Sequence, residues 1–389
     1  MTKSDAAAAR YSWRPLSDLT HPREMIRQFT PNWFAVTMGT GVAALILPQI
    51  PGAGPAAHDA GELLWLANAA LFAAFAGLYG ARWLIFPQEA TRIFAHGTVS
   101  MFFGTIPMGL ATIVNGCIVF GLPRIGPVMI SLAEMLWWVD VGLALACGVV
   151  IPYLMFTRQE HKIDDMSAVW LLPVVAAEVA AVSGGLLAPH LASPDLQFTV
   201  LATSYALWAY SVPVAFSILV ILLLRMALHK LPSSNLAAST WLSLGPIGTA
   251  SLGMLVLGNE APAIFAARNL TAIGDVAQGI GIVAGICLWG AGLWWLLLAL
   301  LVTRRYFKAA VPFNLGWWGY IFPLGVYTLA TLKLGSLLDA PVFSIAGAVF
   351  AILVLAMWAL VMTRTAHGAW RGHLFVAPCI GGRPIPTSR

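Results

Sequence analysis

Read for apolar and polar positions, the chain divides into ten apolar stretches parted by short polar segments. They run over residues 33–49, 63–86, 97–121, 131–157, 167–187, 197–228, 238–258, 268–302, 313–334 and 341–364. An apolar run of about 20 residues matches a hydrocarbon core roughly 30 Å thick, so the pattern predicts ten transmembrane helices. The eighth run is longer than a bilayer requires and is expected to tilt or protrude.

A helix-breaking element returns once per pair of spans. Pro107-Met108-Gly109, Pro246-Ile247-Gly248 and Pro323-Leu324-Gly325 share one spelling; Pro173 fills the slot between the first two, and Met38-Gly39-Thr40-Gly41 precedes them all. Every one falls in an odd-numbered helix. Proline deep in a helix removes an N–H and exposes a carbonyl, which lipid tolerates only where protein covers the backbone or a wet cavity lies beside it. We therefore expect five helical hairpins of like orientation, with odd helices inside and even helices outside. Gly39, Gly41, Pro107, Pro173, Pro246 and Pro323 would form a ring of kinks around a shared path. Thr37, Thr40, Thr105, Thr112, Asn115, Ser183, Ser251 and Thr328 suit a wetted wall, and close helix packing would use the same residues. The chain reads as a pore or transporter.

Composition agrees. Charged residues are 10% of the chain against roughly 25% in soluble domains, and mean hydropathy is +0.83. Residues 1–30 are polar and basic, so no cleavable signal peptide is expected. With the N-terminus in the cytoplasm, only Arg124, Arg268 and Lys333 of the 21 cationic residues face the other side. That bias places both termini in the cytoplasm. The net charge of +5 then reflects loops near anionic lipid rather than nucleic-acid binding. The expected layout is a cytoplasmic tail (1–28), a ten-helix domain (29–365) and a second cytoplasmic tail (366–389), its end disordered around Gly381, Gly382, Pro384 and Pro386. This is an all-α integral membrane protein.

Candidate chemistry is sparse. Glu178 lies near the middle of helix five, where an ionisable group is costly. It is either a proton-coupling site or a protonated packing residue; a permanently ionised form would repel an anion. Asp140 and Asp275, on outer helices, are expected to be hydrogen-bonded structurally. No Lys or Arg occupies the middle of an odd helix, so anion preference would come from helix N-termini and a basic cytoplasmic mouth. The eight histidines form no ligand pair on a helix face, and the four cysteines have no metal-ligand spacing. Neither a metal nor another cofactor is expected. No enzyme motif is present. The 16 tryptophans fit the aromatic belts at the two interfaces.

Phe29-Thr-Pro-Asn-Trp-Phe-Ala-Val-Thr-Met-Gly-Thr-Gly41, Phe103-Gly-Thr-Ile-Pro-Met-Gly-Leu-Ala-Thr-Ile-Val-Asn115, Leu171-Leu-Pro-Val-Val, Leu244-Gly-Pro-Ile-Gly248 and Phe313-Asn-Leu-Gly-Trp-Trp-Gly-Tyr-Ile-Phe-Pro323 resemble, in that order, the tellurite-resistance/dicarboxylate transporter family. That family takes in yeast malate permeases, fungal sulfite efflux pumps and plant guard-cell slow anion channels. The resemblance implies five hairpins in quasi-fivefold array around a central pore, one pore per protomer, commonly in a homotrimer. It also implies a phenylalanine gate, Phe322 here, at the proline kinks. Kinase-controlled gating through long regulatory tails like those of the plant members is not expected. The expectation is a multi-pass transporter of the cell membrane for small anions, first of all malate or another C4-dicarboxylate. An exporter or channel for sulfite, tellurite oxyanion or chloride is second, and a sensor or scaffold without flux is third.

Overall fold

The computed structural model describes residues 15–308 and 310–381. Lys3, Arg10 and Arg14 of the first tail, and Gly382, Arg383, Pro384, Pro386 and Arg389 of the second, lie outside the described residues. Among the described residues all regular structure is helical. Ten principal helices follow one another: α1 (Phe34–Ile46), α2 (Gly54–Ile85), α3 (Thr105–Gly116), α4 (Val128–Thr157), α5 (Leu172–Leu187), α6 (Pro194–His229), α7 (Leu244–Ala266), α8 (Thr271–Tyr306), α9 (Ile321–Leu338) and α10 (Pro341–Arg371). Nine of them, with adjoining turns, are long and apolar enough to cross a membrane. The first is shorter, but 3₁₀ turns at Pro31–Trp33 and Leu47–Gln49 extend it to roughly 30 Å.

Burial sorts the helices by parity. The apolar windows of the inner segments around α3, α5, α7 and α9 are 78% to 94% buried, and those of the even helices only 17% to 33%. Every residue of α1 is buried. Large apolar side chains such as Leu84, Phe156 and Val220 stand exposed on the even helices, as lipid-facing positions do. Each inner helix packs against the next, α1 on α3, α3 on α5, α5 on α7 and α7 on α9, and α9 returns to α1. Each outer helix packs on its own inner partner and on the inner helix that follows. At one end Leu16 N–H donates to Trp370 O at 2.6 Å and Asp18 N–H to Arg371 O at 2.9 Å. The described ends therefore meet on one side, as an even number of crossings requires.

The breaks differ in kind from those expected. A 3₁₀ or short helical turn leads into each of the later inner helices: Val99–Gly104, Ala168–Leu171, Ser239–Leu242 and Leu315–Tyr320. The α-helix proper starts just before the proline, so Pro173 is its second residue and Pro107, Pro246 and Pro323 are third. There the missing N–H belongs to the four that have no intrahelical acceptor in any case. Gly39 and Gly41 do not break α1, which is continuous from Phe34 to Ile46; the first break is the Pro31–Trp33 turn.

Glycine instead brings the inner helices together. A Cβ on Gly41 would lie 2.0 Å from Thr112 of α3, and one on Gly248 would lie 2.9 Å from the Tyr327 nitrogen of α9. Gly104 meets the backbone at the start of α5, Gly185 meets Val256 and Leu257 of α7, and Gly325 meets Val42 of α1. Each of the five contacts in the ring holds such a residue, as close helix packing in lipid favours.

Candidate functional site

A cavity of about 450 Å³ opens at the end where the described termini meet. The leading turns of all five inner segments line it: Asn32 and Met38, Thr98 and Thr105, Leu172, Ser239 and Leu242, Asn314 and Gly319. Leu374 and Val376, from the segment after α10, edge its mouth. That segment is packed down, with the Phe375 ring stacked on Trp33 at 4.7 Å and Ala377 N–H donating to Gln28 Oε1 at 3.3 Å. Helix α10 itself continues to Arg371, past the expected boundary at 365.

Neighbours fix the orientation of α9. Pro323 and Tyr327 face α7 through Gly245 and Gly248; Ile321 and Gly325 face α1 through Gly39 and Val42. Thr331 accepts from Trp289 of α8 at 2.9 Å, and Gly335 abuts Ser344 of α10. At about 100° per residue, what remains is a stripe of Phe322, Val326, Leu329 and Lys333, within roughly 60° of one another and turned into the ring. Phe322, Val326 and Leu329 are 3%, 5% and 7% exposed. Phe322 stands one turn beyond Gly319, a residue of the cavity wall. The cavity is lined by the leading turns, and Phe322 is not among its lining residues.

Glu178 is elsewhere. It is wholly buried but lies six residues from Leu172, about 120° round the helix from the cavity-facing side. Among the described residues neither Glu178 oxygen has a hydrogen-bond partner, and Ser211 Oγ–H of α6 donates to Val174 O at 2.8 Å. Asp140, expected to be hydrogen-bonded, is fully buried with neither oxygen partnered. Asp275 stands exposed in the first turns of α8. Among the described residues no group of His, Cys, Asp or Glu is placed to hold a metal.

The basic end is partly engaged in structure. Arg82 is fully buried and donates to Phe29 O at 2.6 Å. Arg225 donates to the carbonyls of Asp164 and Lys230. Arg27 forks onto Glu89 at 2.7 and 2.8 Å, and this pairing holds the Glu89 carboxyl below its usual range.

Five tryptophans do work that the belt reading missed. Each outer helix sends one indole N–H to the following inner helix: Trp65 to Ile113 O (3.3 Å), Trp137 to Ala180 O (2.8 Å), Trp208 to Ala250 O (3.1 Å), Trp289 to Thr331 Oγ1 (2.9 Å) and Trp358 to Thr40 Oγ1 (3.2 Å). The fifth returns to the first inner helix. Gly116, Gly184 and Gly253 make room for the first three rings. The period of one hairpin was the available signal; hydropathy alone does not separate a belt tryptophan from one at a helix crossing. Trp137→Phe is expected to cost about 1 kcal/mol, the usual worth of an interhelical hydrogen bond in lipid. It would appear as a lower thermal midpoint of the detergent-purified protein, and an unchanged midpoint would deny the bond any weight.

Comparison with known proteins gives a consistent result. A family profile described as voltage-dependent anion channel matches residues 28–366. A sulfite efflux pump of Trichophyton rubrum is 36% identical over 353 residues, 90% of this chain and 93% of that protein. An uncharacterized transporter of Methanocaldococcus jannaschii is 27% identical, covering 90% and 96%. A malic acid transport protein of Schizosaccharomyces pombe is 22% identical, covering 87% and 78%.

Proposed function

The chain belongs to the voltage-dependent anion channel family, a family of transporters and channels rather than enzymes, and from that premise we propose that it exports a small inorganic anion, sulfite or hydrogensulfite first. The 36% identity to a sulfite efflux pump supports the substrate, and the stripe of Phe322, Val326 and Leu329 on the face of α9 that its neighbours leave free supports the path. The path runs from the cavity past Phe322 as constriction, along the axis of five hairpins in quasi-fivefold array. The protein works as a homotrimer in the cell membrane with both termini cytoplasmic, an orientation supported by the Lys and Arg bias.

Malate, ranked first from sequence, moves to second place. The relative named for sulfite is 36% identical and the one named for malic acid 22%. The inward stripe also offers one cation, Lys333, against the two charges of a C4-dicarboxylate.

Flux into liposomes of purified protein tests this, with sulfite, chloride and malate as separate substrates at two pH values. Sulfite is expected to move at least tenfold faster than malate, an energy difference of about 1.4 kcal/mol. Malate moving as fast as sulfite would restore the dicarboxylate reading, and no flux of any anion would leave a scaffold. Glu178→Gln belongs in the same assay. Loss of pH dependence in that variant assigns proton coupling to Glu178 despite its position; unchanged dependence makes it a packing residue.

A further inference from the structure

Lys333 enters the reading above only as a count of charge, and its surroundings set it apart. Of the three cations at the C-terminal ends of the inner segments, Arg124 pairs with Glu62 at 2.9 Å and Arg268 with Asp195. Lys333 is half-buried and, among the described residues, has neither ion-pair nor hydrogen-bond partner. Its helix is engaged on both flanks and behind, through Gly325, Tyr327 and Thr331. The stripe that starts at Phe322 therefore delivers its side chain into the ring.

A second polar group shares that level. Asn115 of α3 is 8% exposed, and its Oδ1 has no partner. It lies between the face of α3 that meets α1 and α2 (Gly109, Thr112) and the contact with α5 at Gly104. Asn115 follows Pro107 by eight residues and Lys333 follows Pro323 by ten, so with the two prolines taken as level they differ in height by about 3 Å. Between this level and Phe322 the stripe holds only Val326 and Leu329.

We infer that Lys333 and Asn115 form an anion-binding site in the half of the path beyond Phe322, taking a compact monovalent anion such as hydrogensulfite or chloride. The ammonium supplies the single compensating charge, and the Asn115 amide N–H₂ donates to the anion. Hydrocarbon walls on the Phe322 side leave a dianion half neutralised, so the site sets charge preference as well as affinity. An anion that has passed Phe322 pauses here before leaving.

This inference rests on the proposed anion path, and the experiment separates the two. In liposomes, Lys333→Gln is expected to raise the half-saturating sulfite or chloride concentration about tenfold, the scale of electrostatic focusing in a cleft, while Lys333→Arg stays within about twofold. Lys333→Cys, in a chain whose four native cysteines are replaced by serine, adds a test from the side opposite the termini. There a cationic thiol reagent should restore flux and an anionic one should abolish it. Wild-type flux with an unchanged half-saturation in Lys333→Gln, and no response of Lys333→Cys to either reagent, overturns the site alone. Absence of wild-type flux instead overturns the function from which it was drawn. If Lys333→Gln fails to purify as a single species, Lys333→Cys with the two reagents decides.

Discussion

Phe322→Ala is expected to raise resting chloride leak at least tenfold in liposomes and to make it ohmic. The ring stands on the one stripe of α9 that meets neither α1, α7 nor an outer helix, one turn beyond the cavity residue Gly319. Truncation removes the side chain but leaves the glycine contacts, where the inner helices already touch, so the ring of helices cannot close further to refill the space. A gap of that kind, continuous with a cavity of about 450 Å³, admits water, and a wetted constriction no longer bars an ion by dewetting. Phe322→Leu keeps most of the bulk and should leak less than Phe322→Ala. Val326→Ala, a turn deeper on the same stripe, should have the smaller effect if the ring is the narrowest point. Equal leak in wild type and Phe322→Ala, both monodisperse and inserted, would move the constriction elsewhere.

Hydropathy and turn chemistry were enough to place the spans to within a few residues for most helices. α7 runs on to Ala266 and α10 to Arg371, beyond their predicted ends at 258 and 364, and α2 is the most instructive exception. α2 begins at Gly54, earlier than its apolar run, because Pro55 suits the first turn and Glu62 is compensated by Arg124 from the end of the next segment. No local pattern reports such a cross-hairpin pair. The prolines announced where the inner helices change, but not how. A proline at the second or third α position is silent in hydrogen bonding, and the change of pitch is made by the 3₁₀ turn ahead of it. Gly39 and Gly41 looked like a fifth break since glycine signals both flexibility and close approach; the Trp318 ring against Gly39 and Thr112 against Gly41 select the second.

For the site, Phe322 was named by resemblance, and its place on the α9 stripe is read from its neighbours' contacts. Its inward direction follows from contacts that span the whole chain. Glu178 was visible as a buried charge, yet its azimuth depends on which neighbour each face of α5 meets, information that exists only in the assembled ring. The tryptophan bonds show the same limit. Their period is present in the sequence, but a donor's meaning depends on the carbonyl or hydroxyl opposite it.

Gly104→Ala should be the most damaging small substitution in the chain. Gly104 has φ −60° and ψ −21°, a conformation any residue adopts, so only space is at issue. A Cβ there would lie 2.0 Å from Leu172 O, 2.5 Å from Leu172 C and 2.9 Å from Pro173 Cα. All three are backbone or ring-locked atoms at the start of α5, with no rotamer to give way. The methyl group can be accommodated only by parting α3 from α5. That strains a closed ring in which α5 already bears on α7 and Trp137 ties α4 to Ala180. Overpacking usually costs about 1–3 kcal/mol, and with backbone on the receiving side we expect about 3 kcal/mol. The outcome should be a sharply lower thermal midpoint or loss of monodisperse protein. Gly77→Ala, on the exposed face of α2 with nothing within 4 Å of the added atom, serves as the matched control and should be neutral or mildly stabilising. If the two variants melt together, the inner helices are not held at backbone contact.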